Sequence, residues 1–298
     1  MRERRLRLPG PIDLTLTLGR LRRAGRDPCL RLAARSACRA TRTPAGPATL
    51  ALEIRGPEVL ASAWGPGADA ALGQTPELLG FDDDPAAFTP GPGLVRDLHR
   101  RAPGLRLGRT GAVVEALVPA VIEQRVTGVE AARSYRTLVR RHGEPAPGPF
   151  GLLLPPDPAL LAALPYWALH RCGIEQRRAD TIRRVAARAA RLETASALAP
   201  ADATRLLTAL PGVGPWTAAE VAQIALGDRD SVSVGDYNLS HLVGWALAGE
   251  RRATDERMLE LLAPYAGHRA RVVRLLELSG HHPPRRAPRA ALRSFADC

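Results

Sequence analysis

The chain contains no lysine: all 42 basic residues among its 298 are arginine. With no ε-amine anywhere, no lysine-based Schiff-base mechanism is open to it. Cysteine is sparse, at Cys29, Cys38, Cys172 and Cys298. None forms a CxxC pair and none has zinc or iron–sulfur spacing, so free thiols in a reducing compartment are expected. No apolar run is long enough to span a bilayer. The segment from Met1 to Leu8 is basic and lacks an apolar core before Pro9, unlike a secretory signal, so the expected compartment is the cytoplasm. No internal repeat or low-complexity tract divides the chain.

Arginine dominates what is present. The formal net charge is +12, which points to a polyanionic partner, with nucleic acid ahead of a membrane because no basic amphipathic anchor stands alone. The planar guanidinium suits phosphate, since it donates two hydrogen bonds at once. Compositional drift toward arginine and alanine produces the same excess, so charge alone decides nothing.

Residues 1–104 are expected to form an α+β domain. The alternation Ile12, Leu14, Leu16, Leu18 predicts a strand, Thr49 to Ile54 predicts another, and Glu58 to Ala63 is expected to begin a short helix. The turn chemistry of 82–85 and 90–93 sets a boundary near 90–108. From there to residue 280 the pattern is helical. Val113, Leu117 and Val121 recur at helical spacing, with Pro119 among them. Thr127-Gly-Val-Glu130 has the form of a capping box, and Gly143 is expected to end that helix. Pro158 to Leu164 is a short helix, 174–192 one long helix with Arg177, Arg184, Arg188 and Arg191 on its outer face. Later helices cover roughly 237–248, 254–264 and 268–279. Residues 281–298 are expected to be a basic disordered tail.

Leu210-Pro-Gly-Val-Gly-Pro-Trp-Thr-Ala218 is the most informative stretch. Leu206, Leu207 and Leu210 close a short helix; Gly212 and Gly214 allow tight turns; Pro215 fits the first position of a new helix. Helix, glycine hairpin and helix together span about 203–227. The second helix would present unpaired N–H groups from Gly212, Val213, Gly214, Trp216 and Thr217 to an anion such as a phosphate. A plain helix–turn–helix corner fits the same residues.

With its flanks, this stretch resembles the helix-hairpin-helix DNA glycosylase superfamily, and within it the 3-methyladenine DNA glycosylase II type. The resemblance rests on residues 210–218 and on an aspartate 22 residues beyond Gly214, in Val-Gly-Asp236-Tyr237. Ile122-Glu-Gln124, Gly173-Ile, Arg178 to Ile182 and Tyr265 to Arg269 add to it. It covers about 105–280. It implies a mainly α fold, a helical bundle preceded by a small antiparallel-sheet domain, with Asp236 in the cleft between helical subdomains.

The resemblance makes Asp236 catalytic, although an aspartate here is also a good helix cap. Cleaving the base–deoxyribose bond builds oxocarbenium-like charge on the sugar, which a carboxylate stabilises while it orients water. Lyase members use a lysine at the position of Trp216, so a monofunctional hydrolytic enzyme is implied. The lesion must be flipped into a pocket. Trp216 and Tyr237 are candidates to stack on a cationic alkylpurine, and Gln124, Glu220 and Glu277 are further pocket candidates. Aromatic residues stand at the last two positions in the type member. Arg125 is the candidate wedge, where the family often has an apolar residue. His241, Trp245 and His268 are read as core or surface residues.

The expected substrates are 3-methyladenine and 7-methylguanine in double-stranded DNA. Deaminated or oxidised bases are the second reading and a non-catalytic DNA-binding hairpin the third. No organic cofactor is implied. The resemblance allows a monovalent cation on hairpin carbonyls, but no side chain demands a metal. A monomer is expected.

Overall fold

A computed structural model describes residues 1–23 and 26–284. Most of the tail expected at 281–298, with Cys298, lies outside these residues. The strands are β1 (Arg2–Arg7), β2 (Leu30–Ala33), β3 (Ser36–Thr43), β4 (Gly46–Arg55) and β5 (Glu58–Trp64). They form one antiparallel sheet in the order β1–β5–β4–β3–β2. The strand predicted at 49–54 lies within β4.

Two short predictions fail here. The leucine alternation over 12–18 is not a strand but helix α1 (Leu14–Leu18). Asp13 takes the Leu16 N–H at 2.9 Å and starts the turn. Leu14 and Leu18, four residues apart, then share a buried face. Glu58 to Ala63, expected as helix, is β5. Gly56 turns the chain at φ +60°, and Val59, Ala61 and Ala63 face inward opposite Ile54, Leu52 and Leu50. These side chains and α2 (Ala68–Leu78) enclose the sheet core.

The remaining chain is helical: α3 (Leu94–Arg101), α4 (Val113–Glu123), α5 (Gly128–His142), α6 (Pro158–Ala163), α7 (Tyr166–His170) and α8 (Gln176–Ala187) come first. They are followed by α9 (Ala189–Glu193), α10 (Pro200–Thr208), α11 (Pro215–Val221), α12 (Leu239–Ala248), α13 (Asp255–Leu262) and α14 (Arg269–Ser279). The capping box of α5 is formed, with Thr127 and Glu130 satisfying each other's N–H groups. Gly143 ends that helix, donating to Val139 at 2.7 Å. The single helix expected over 174–192 is two, broken at Arg188 (φ −115°, ψ 17°). The break turns Glu193 toward the start of α4, where its carboxylate accepts the N–H groups of Val113 and Val114 at 2.8 and 2.9 Å. Those amides would otherwise lack partners.

Two helical cores result. One centres on α4 and takes in α5, α8, α10 and α11. The other joins α12, α13 and α14 to Phe88 and to Val95 and Leu98 of α3. Asp83 and Arg271, both without solvent exposure, pair between the loop after α2 and α14. Among the described residues no helix is long and apolar enough to cross a membrane. Cys29, Cys38 and Cys172 are free and buried, and burial raises all three thiols above their ordinary value.

Candidate active site

The hairpin connects α10 to α11. Val213 donates to Leu210 O at 2.9 Å, closing the turn, and Gly212 takes φ +95°. A Cβ on Gly212 would collide with the Thr181 side chain of α8 as well as strain the backbone. Pro215 occupies the first turn of α11, and Ala218 N–H to Gly214 O, at 3.0 Å, opens its ladder. The amides of Trp216 and Thr217 therefore point out of the helix end, whereas that of Val213, expected to be free for an anion, is spent on closing the turn. Beyond Val221 the helix widens into a π-helical segment, Ala222–Leu226.

Two side chains fix the hairpin from outside, and a third closes the helix that carries one of them. Gln124, at the end of α4, donates to Gly212 O at 3.0 Å and to Thr217 Oγ1 at 2.8 Å. Arg184 of α8 donates to Pro211 O at 3.2 Å. Buried Arg178 donates to Ile122 O at 2.7 Å, closing the C-terminus of α4. Next to that closure, Arg125 is exposed and has φ 56°, the one non-glycine residue with positive φ among those described. Such strain in an arginine persists only where neighbouring structure enforces it.

Asp236 lies just before α12, where the two helical cores meet. Its Oδ1 accepts the N–H groups of Asn238 and Leu239 at 2.8 and 3.0 Å. Its Oδ2 accepts Trp216 Nε1 from α11 at 3.1 Å. One oxygen of the carboxylate thus serves the helix start and the other the indole of α11. Asp236 is half-buried beside exposed Gly235, Tyr237 and Asn238, so it stands at the surface and not within either core.

The other expected pocket residues are distributed unevenly. Trp216 is half-buried against Asp236. Tyr237 is 84% exposed, its ring edge against His241 at 5.9 Å between centroids. It does not join Trp216 over the carboxylate. Gln124 is committed to the hairpin through its amide nitrogen. Glu220, one turn beyond Trp216, accepts hydrogen bonds from Ser233 Oγ and from Arg20, at 3.3 Å for its nearer contact. Glu277 pairs with Arg274 at 3.2 Å. Burial lowers the Arg274 pKa, opposed by the nearby Glu277 charge. His268 packs tilted against Phe88, with 5.0 Å between ring centroids.

Arg20, Arg23, Glu123, Gln223 and Ser233 were not foreseen at this site. Gln223 accepts from Arg20 through Oε1 and donates to Ser231 O and Ser233 Oγ. Only the position of Glu123 beside Gln124 could have drawn attention from sequence; the arginines come from a segment with no motif.

No protein-family model matches the chain. It is 34% identical over 172 residues to a probable bifunctional transcriptional activator/DNA repair enzyme, AlkA, from two strains of Mycobacterium tuberculosis. The match covers 54% of this chain and 34% of that protein, so the chain spans about a third of the relative's length. In fold it is similar to the 3-methyladenine DNA glycosylase of Archaeoglobus fulgidus, with a TM-score of 0.75 at 19% identity over 92% of this chain and 97% of that one. An 8-oxoguanine glycosylase/lyase of Clostridium acetobutylicum, solved with double-stranded DNA, gives a TM-score of 0.61 at 12% identity, covering 83% and 95%. The arrangement of a five-stranded antiparallel sheet followed by helices is thus shared in fold with these solved DNA glycosylases.

Proposed function

We propose that the protein is a DNA glycosylase of base excision repair that hydrolyses the N-glycosidic bond of alkylated purines, 3-methyladenine and 7-methylguanine among them. The observation that carries this is the half-buried Asp236 carboxylate, fixed at both oxygens and hydrogen-bonded to Trp216 in the first turn of α11, beside the glycine hairpin. The partner is double-stranded DNA with a damaged base, bound by one copy of the chain. Exposed amides at the start of α11 grip a backbone phosphate without reference to sequence. Arg125 fills the gap left by the extruded nucleotide, its backbone already set by the turn that Arg178 closes.

As the bond to the base lengthens, positive charge grows on the sugar, and Asp236 stabilises it. A water attacks the anomeric carbon and gives its proton to the carboxylate. The donors on Asp236 hold its orientation before the substrate arrives, so little reorganisation is required at the transition state. Trp216 occupies the position where lyase members carry an amine, and with no lysine in the chain the reaction ends at the abasic site. The monovalent cation that the family resemblance allows would lie on hairpin carbonyls. Those of Leu210, Pro211 and Gly212 already accept hydrogen bonds, and no step is routed through it.

The test is base release from methylated duplex DNA, with the freed bases identified chromatographically. The wild type is expected to release 3-methyladenine, and Asp236→Asn to lose about 10²- to 10⁴-fold in rate. Asparagine keeps an oxygen for the Asn238 and Leu239 amides, so the helix start survives while the negative charge is gone. Equal release by both proteins would rule out the carboxylate mechanism. Binding without any release would leave a DNA-binding hairpin protein.

A further inference from the structure

Of the four tryptophans, Trp64, Trp216 and Trp245 are half-buried, whereas Trp167 on α7 is 59% exposed. Ala168 and Leu169 turn into the core centred on α4, so the residue before them is carried to the outer side of the helix. One turn on, the Arg171 guanidinium lies over the indole, 5.1 Å from its centre. The Arg171 N–H donates to Trp167 O at 3.1 Å. Tyr166 and His170 make the parallel i, i+4 contact, with 2.9 Å between the hydroxyl and Nδ1. Two such pairs brace a helix of only five residues.

This helix stands beside cations that lack carboxylate partners. Ser134 of α5 donates to Gly173 O at 3.2 Å, which sets the α7 turn against α5. Arg141, seven residues on, shares that side of α5 with Ser134, and Arg140 precedes it; both are exposed. Arg141 is within electrostatic reach of Cys172, whose thiol burial raises and this charge draws back. Among the described residues, no carboxylate pairs with Arg140, Arg141 or Arg171. The acids of 131–174 are Glu144 and Asp157, and both are bound by Arg42.

A flat ring with a guanidinium on one face, an open face opposite and unpaired cations nearby has the chemistry of a nucleobase platform. Every base has a π face and stacks on indole without regard to sequence, while guanidinium groups match phosphate oxygens through paired N–H donors. In a duplex the base faces are covered by neighbouring base pairs, so the platform suits a strand whose bases are unpaired. Carboxylates alone would satisfy the arginines but leave the indole unused. We propose that Trp167 and Arg171 form a base-stacking site for single-stranded DNA, with Arg140 and Arg141 on its phosphates. The hairpin meets α8 through Thr181 and Arg184, whereas the α7 turn meets α5 through Ser134. The platform residues take no part in the mechanism above, so the inference goes beyond base release and does not depend on it.

The test is fluorescence anisotropy of a labelled oligothymidine strand and of an undamaged duplex of equal length, each titrated with the full chain. The wild type is expected to bind both. Trp167→Ala should weaken single-strand binding by about 5- to 10²-fold, the scale of one stacked base, and leave duplex affinity within about twofold. Trp167→Phe keeps a ring and should recover most of the loss. Arg140→Gln with Arg141→Gln removes two phosphate contacts and should make log affinity against log salt shallower by about 1.4 for the single strand. These changes lie at the surface, and thermal melts check that the variants fold. No single-strand binding by the wild type, unchanged affinity in folded Trp167→Ala, or an equal loss on strand and duplex overturns the proposal. So does Trp167-dependent binding of a labelled oligoglutamate in place of the strand, which would assign this face to an acidic protein. Base release from methylated duplex should be the same in Trp167→Ala as in the wild type, so the glycosylase function stands or falls separately.

Discussion

The hairpin and the Arg20–Glu220 pair are built on different principles. The hairpin is backbone: two glycines, a proline at a helix start, and amides that turn outward, with Gln124 and Arg184 bracing the carbonyls from behind. The pair is side chain: Arg20 and Glu220 are 200 residues apart in sequence and meet only through folding. Backbone amides offer the same N–H group whatever the side chains, whereas an ion pair depends on two particular residues being brought together by the fold. Asp236 draws on both kinds of donor, one oxygen holding the helix start and the other the indole of Trp216.

The sharpest way to separate grip from chemistry is to damage each alone. Asp236→Asn should bind an undamaged duplex within about twofold of the wild type, because charge at the cleft adds nothing to the phosphate contacts, while base release falls by the large factor given above. Gly212→Val should do the opposite. Its side chain meets Thr181, the hairpin shifts, and duplex affinity measured by fluorescence anisotropy should fall at least about tenfold, equivalent to about 1.4 kcal/mol. Equal affinity in the two variants would show that the hairpin does not hold DNA.

Trp216→Phe should be milder. It retains an aromatic face but removes the N–H that orients Asp236, and base release should slow by about tenfold, the scale of one hydrogen bond to a charged acceptor. An unaltered rate would mean that the turn amides alone set the carboxylate. Thr127→Ala breaks the capping box of α5 and should cost about 1 kcal/mol in chemical denaturation with no loss of base release beyond what stability explains.

The smallest effect concerns pH. Although partial burial opposes it, hydrogen bonds from Arg269 and the Gly267 amide hold the Asp230 carboxyl below its ordinary value. A carboxyl lowered in the folded state stabilises above its unfolded pKa and loses that contribution as pH falls through the folded one. The stability gap between wild type and Asp230→Asn should therefore be full at neutral pH and close as the solution is acidified below about pH 4, the ordinary carboxylate range. A gap independent of pH would mean that the carboxylate charge is not what holds this loop.

The comparison also explains what could be read from sequence. Glycine and proline act locally, so the hairpin, the α5 capping box and the ends of α6 and α10 were legible. Asp236 and Trp216 were legible as residues, though their contact was not. Short apolar alternations were not decisive: five residues of Leu-Thr-Leu-Thr-Leu satisfy both a strand and an i, i+4 helix face, and Asp13 decided for helix. Strand β1 escaped notice because it is an edge strand of mostly exposed arginines, with no apolar face to betray it. Glu220 was singled out, but its partner lies in a segment whose only signature is charge. Its sequence position made it a pocket candidate, and the structure pairs it with Arg20.

The central claim is that the Asp236 carboxylate faces the sugar of an extruded nucleotide while the hairpin holds the strand. It can be tested without turnover by comparing two duplexes, one carrying a cationic pyrrolidine in place of the damaged nucleotide and one carrying a neutral tetrahydrofuran. The wild type should bind the pyrrolidine duplex at least about tenfold more tightly, and Asp236→Asn should bind both alike. Equal binding of the two duplexes by the wild type, or a preference that survives in Asp236→Asn, would contradict the account.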